Sequence, residues 1–158
     1  MKPSNHAPPL SLTLLAWLLP ATYFIHLLEE YFAGEGFPAW LSGFMGARLS
    51  VTDFLIINGV AWPVMAAFAV AYTLGWKNKV ILLALWTVLF INGLLHPLSC
   101  LASGVYSPGT FSAVLLYLPL GLTAFREITP QLSRGQRNAG IAAGILIHLL
   151  VIIIALNI

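Results

Sequence analysis

Charge is what this sequence has least of. Seven Lys and Arg and five Asp and Glu make up only 8% of its 158 residues, where a soluble domain carries roughly 25%. The chain is also 59% hydrophobic, with a mean hydropathy of +0.92. Such a composition cannot cover a water-facing surface. A soluble globular class is therefore excluded, and an integral membrane protein is expected. Cysteine is nearly absent: Cys100 stands alone, which excludes an intramolecular disulfide and a multi-cysteine metal site. No charge run, glycine-rich phosphate loop or basic–aromatic patch occurs, so nucleic acid is not expected as a partner. No internal repeat is apparent, and no stretch is long enough for a water-soluble domain, so residues 1–158 read as a single transmembrane domain.

What the chain does have is a series of long apolar segments. Five are read, over about 10–31, 51–74, 80–101, 110–125 and 139–158. At ~1.5 Å per residue four of them match a hydrocarbon core of ~30 Å, whereas the fourth is short and must begin earlier or thin the bilayer. The fold expected is all-α, a five-helix transmembrane bundle in contact with the lipid bilayer. Lys2, the apolar run and Ala21 mimic a signal peptide. The run continues to Leu28, so the segment reads as a retained anchor. Lys2, Lys77, Lys79, Arg126, Arg134 and Arg137 fall in one set of loops, and Arg48 alone in the other. That bias predicts a cytoplasmic N-terminus and an extracytoplasmic C-terminus.

Three local patterns refine this picture. Phe37, Trp40, Leu41, Phe44 and Met45 follow i, i+3, i+4, i+7, i+8 spacing, and Pro38 suits a first helical turn. The outer 1–2 loop is thus expected to hold a short amphipathic interfacial helix, either a float on the membrane or a lid over a pocket. Pro20, Pro63, Pro97 and Pro119 lie within four of the spans, which membrane helices tolerate when neighbours satisfy the freed carbonyls. Gly140 and Gly144 form a G-x-x-x-G pair that permits close helix approach.

The polar residues inside the spans carry the functional reading, because an ionisable group in a bilayer is costly and usually has a partner and a task. His26-Leu27-Leu28-Glu29-Glu30 ends the first span. His26 lies between Glu29 and Glu30 on one helix face, and Asn92, His96 and Ser99 share a face of the third span. His148 follows Gly144 by four residues, on the stripe expected to pack against protein. Asn58 and Tyr106 lie at the same outer depth. Bland readings stand beside these. Asp53 follows Ser50 as in a capping box, Asn58 is ordinary interhelical glue, and the acids could simply end a helix at the interface. A thiol nucleophile at Cys100 is geometrically possible, but nothing marks it as activated. Two or three histidines with one or two carboxylates suit a divalent metal such as zinc or iron, with His26, Glu29, Glu30, His96 and His148 as candidate ligands. Without metal the same group is a buried acid–base set.

His26–Glu30 resembles the motif that names the HXXEE membrane proteins. That family also carries a further histidine, for which His96 is the choice here and His148 the alternative, and a Y-x-P-G motif, matched by Tyr106-Ser107-Pro108-Gly109. The resemblance runs roughly from the first span to the fourth. The family is one of unknown function, so it implies residues and no reaction. Read on its own, Pro108-Gly109 fits the centre of a type II turn.

Two functions follow as expectations. One is a membrane-embedded enzyme acting on a lipid-like or isoprenoid-like small molecule, with His26, Glu29, Glu30, His96 and Tyr106 as catalytic residues, metal-dependent or acid–base. The other is a non-catalytic protein binding a metal ion, proton or sterol-like ligand, or a transporter, which would need a homo-oligomer because five spans offer little wall. The inner halves of the spans hold no ionisable residue, so the polar layer reads as a dead-end pocket rather than a conduit.

Overall fold

The computed structural model describes residues 10–157. Lys2, one of the topology-setting charges, and Ile158 lie outside the described residues. Among the described residues six helices follow in chain order: α1 (Leu12–Phe32), α2 (Phe37–Met45), α3 (Val51–Thr73), α4 (Lys79–Ser103), α5 (Thr110–Gln131) and α6 (Arg134–Asn157). All but α2 are long and apolar enough to cross a membrane, and no strand occurs among the described residues.

Helix ends are set by local chemistry. Ser11 Oγ accepts from Leu14 N to start α1, and Asn78 Oδ1 accepts from Val80 N and Ile81 N to start α4. Ser50 caps α3 by accepting from Asp53 N, while its hydroxyl donates to the Asp53 carboxylate, so Asp53 serves a cap. The expected interfacial helix is α2, with Pro38 in its first turn.

Two boundaries differ by more than a turn from the sequence reading, and one is the start of α6, at Arg134 rather than Ala139. The other is the end of the fourth span, which does not stop at Phe125. Helix α5 continues through Arg126 and Glu127 to a buried Ile128 and ends in a 3-10 turn at Gln131, 22 residues in all. Arg126 and Glu127 lie on its flank, and the bilayer need not thin. Near its start, Ala113–Tyr117 forms a π turn, a distortion common at functional sites.

In lipid, helices associate through van der Waals packing and hydrogen bonds rather than through hydrophobic exclusion from water. Here α3 lies along α1, α6 along α4, and α5 on α4 and α1. Indole N–H groups stitch the bundle: Trp17 donates to Thr73 Oγ1, Trp62 to Pro20 O and Trp86 to Leu15 O. The Gly140/Gly144 pair packs on α4, where a Cβ on Gly144 would lie 2.5 Å from Thr87 Cβ. That close contact is made within the chain. An apolar core of Leu15, Leu19, Phe68, Tyr72, Leu83, Trp86 and Ile128 fills one end of the bundle. A smaller cluster of Trp40, Leu41, Ala47, Leu49 and Phe54 closes the other, with Ala155 and Leu156 of α6 packed on it. The polar residues lie between them, below α2.

Candidate metal centre and its pocket

His26 and Glu30 are one turn apart on α1, so their side chains share a face. His96 meets them from α4. Glu30 Oε1 lies 3.4 Å from His26 Nε2 and 3.4 Å from His96 Nε2. The two imidazoles stand edge to face with centroids 4.8 Å apart, and all three side chains are buried. One donor atom from each residue falls within 4.8 Å of the others. Bonds of ~2.0–2.2 Å to a tetrahedral ion put neighbouring ligands about 3.3 Å apart. Two edges of this triangle are already at that spacing, so the donor set fits a divalent cation.

Both histidines are held by their far nitrogens. His26 Nδ1 lies 2.8 Å from Ser112 Oγ, whose hydroxyl in turn donates to Gly109 O. His96 Nδ1 lies 3.2 Å from the fully buried Ser107 Oγ. A serine hydroxyl that accepts from Nδ1–H leaves Nε2 as the lone pair, which is the tautomer a metal ligand needs. Asn92 Nδ2 lies 3.0 Å from His26 Nε2, consistent with that lone pair.

The Y-x-P-G segment does more than turn the chain. Thr110 N donates to Ser107 O, and Gly109 has φ +99° and ψ −10°, so a tight turn joins α4 to α5 as expected. A Cβ on Gly109 would lie 2.7 Å from His26 Cε1, 2.8 Å from His96 Cε1 and 3.1 Å from Glu30 Cγ. This glycine backbone is therefore one wall of the three-residue cluster. Cys100 sits behind the turn, where its Sγ accepts from Ser107 N and lies 3.1 Å from Thr110 Oγ1.

Glu29 turns the other way. Its carboxylate accepts from Phe111 N at 2.8 Å, Ser112 N at 2.6 Å and Tyr106 Oη at 2.5 Å. Gly109 offers α5 no side-chain cap, so Glu29 caps that helix from α1, where a carboxylate also favours the positive end of the helix dipole. Burial first, and then the Glu29 carboxylate, push the Tyr106 phenol above its ordinary range and keep it a donor. Glu29 and Tyr106 thus stand outside the three-atom group. So does His148, which is buried on α6 as its position after Gly144 implied.

A cavity of about 390 Å³ adjoins the cluster. Glu30, His96, Asn92 and His148 line it, and Phe37, Trp40, Leu41, Phe44 and Met45 of α2 cover it. Helix α2 therefore has the placement of a lid, with Phe37 5.7 Å from the His96 ring. Asn58 accepts from Tyr23 Oη and donates to Phe54 O, as interhelical glue does. Sequence reasoning missed Ser107, Ser112 and Tyr117, whose ring lies 4.5 Å from that of His26. Only Ser107 had a usable signal, as the variable position of Y-x-P-G. A serine in a first helical turn and a tyrosine in an apolar run look ordinary.

No curated protein and no solved structure matches this chain. A family profile described as "Protein of unknown function with HXXEE motif" matches residues 17–124, a stretch that contains His26, Glu29, Glu30, His96 and the whole Y-x-P-G turn. The chain belongs to that HXXEE family.

Proposed function

We propose that this protein is a metal-dependent membrane enzyme acting on a lipid-like molecule, with His26 Nε2, His96 Nε2 and Glu30 Oε1 as ligands of a zinc- or iron-class divalent cation. The observation that carries the reading is the convergence of these three donors on one point, each histidine held from behind by a serine. Two nitrogens and one carboxylate suit either metal, and three protein ligands leave positions open for water or substrate, as catalytic sites do. A bound cation would act as a Lewis acid on a polar group or on water. In this reading Glu29 and Tyr106 are positioning residues. Glu29 holds Ser112, and Ser112 holds His26. His148 faces the substrate rather than the metal.

The orientation belongs to the same proposal. Its support is the charge bias: Lys77, Lys79, Arg126, Arg134 and Arg137 lie in the loops and helix ends away from the cluster, which favours an extracytoplasmic metal centre. Labelling of single cysteines introduced between residues 76 and 79 should occur only from the cytoplasmic side.

Elemental analysis of the detergent-purified protein tests the centre. Wild type and Glu29→Gln should both carry stoichiometric zinc or iron, and Glu30→Gln should carry almost none. Wild-type protein that takes up neither metal, even after incubation with each, would overturn the reading.

A further inference from the structure

The pocket holds more polar groups than a three-ligand centre uses. Among the described residues, Trp40 Nε1, Tyr117 Oη and His148 Nε2 are buried side-chain polar atoms without a hydrogen-bond partner. All three side chains line the same cavity, and they come from α2, α5 and α6. Buried polar atoms are nearly always paired, so three around one cavity point to an occupant that supplies their partners.

The rest of the wall describes that occupant. Among the described residues, Glu30 is the only charged side chain lining the cavity, with no Lys or Arg beside it. Even a divalent cation on Glu30 would leave one net positive charge, too little for a diphosphate. Beyond the polar residues the wall is apolar, formed by Met65, Leu85, Val88 and Leu89. The volume of about 390 Å³ falls within the roughly 300–1,000 Å³ of small-molecule sites.

The wall is also open on one side. Ile147 and Val151 line the cavity yet are 43% and 38% exposed. Helix α3 packs on α1, α6 packs on α4, and α3 and α6 make no extended contact with each other. A gap between two spanning helices opens toward lipid.

We infer that the cavity admits, sideways from the bilayer past Ile147 and Val151, a neutral amphiphile with one apolar chain and an uncharged hydrogen-bonding head, of the long-chain or isoprenoid alcohol class. Tyr117, His148 and Trp40 hold the head, and the chain lies along Met65, Leu85 and Leu89. The inference rests on the metal-enzyme reading for what happens to the head group, though not for binding itself.

Binding of tritiated farnesol to the full chain in detergent tests it, with metal content read on the same samples. Farnesol should bind saturably, and farnesyl diphosphate and palmitate should displace it about tenfold less effectively than unlabelled farnesol. Tyr117→Phe and His148→Leu should each weaken binding by about three- to tenfold, the loss of one hydrogen bond. In vesicles, Val151→Trp should slow uptake of farnesol. Equal or better displacement by either anion, or binding indifferent to both Tyr117→Phe and His148→Leu, would overturn the inference. Metal-loaded wild type that fails to bind farnesol would overturn this inference alone. A chain that takes up no metal and still binds farnesol through Tyr117 and His148 would support it, and would overturn only the metal reading.

Discussion

Glu29 and Glu30 are neighbours in the chain with opposite surroundings. Glu30 lies on the cavity wall, against two imidazoles. Glu29, about 100° further round the helix, lies in a clasp of backbone amides and a phenol at the head of α5. The first region brings lone pairs together, and apart from the Asn92 amide at His26 Nε2 nothing offsets their repulsion until a cation or proton joins them. The second brings donors to a carboxylate and is complete as it stands. Ser112 belongs to both: its amide donates to Glu29, and its hydroxyl lies against His26 Nδ1. A motif with two consecutive glutamates thus supplies one candidate ligand and one fastening for the wall behind it.

Substitutions can separate the two regions, and the largest effect is expected at Gly109. Gly109→Ala places a methyl 2.7 Å from His26 Cε1 on a backbone with positive φ. Overpacking costs about 1–3 kcal/mol and the left-handed backbone about 1–2 more. Thermal unfolding in detergent should fall accordingly, and bound metal should be lost with it. Full metal content would show that the wall yields and that the cluster does not depend on the turn. Glu29→Gln should be next, with about 1–2 kcal/mol of stability lost as charge-assisted bonds weaken and metal retained. Loss of metal at unchanged stability would erase the distinction between the two acids. Ser112→Ala should weaken metal affinity about tenfold, the lower end for a group that orients a ligand, read by competition with a chelating dye.

Tyr106→Phe should have the smallest effect, about 0.5–1 kcal/mol for one half-exposed hydrogen bond. Its pH dependence has a definite sign. Because the folded phenol is raised above its ordinary value, its contribution is complete below about pH 10 and is lost as pH rises through the folded value. Wild type and Tyr106→Phe should therefore differ in stability at neutral pH and converge only in strongly alkaline buffer. A constant difference across that range would mean that the Tyr106–Glu29 bond is not what the hydroxyl contributes.

Much of this was legible in the chain because the relevant signals are local. Hydropathy over some twenty residues is enough to mark a span, and the amphipathic spacing of Phe37 to Met45 is enough to mark α2. The Ser50–Asp53 cap and the Pro108-Gly109 turn lie within four residues each. The end of the fourth span is less legible, because Arg126 and Glu127 read as a terminus although a helix can carry charges on its flank while Ile128 remains buried.

By itself the sequence determined an all-helical membrane chain and a polar layer containing His26, Glu29, Glu30 and His96. Which glutamate faces the histidine of α4 was decided only by the tertiary structure. That choice depends on the rotation of α1 about its own axis, fixed by packing against α3, α4 and α5. The fits of Ser112 to His26, 86 residues apart, and of the Gly109 backbone to both imidazoles are likewise products of helix packing. Periodicity places side chains around one helix, but the angle between two helices is set where their surfaces meet.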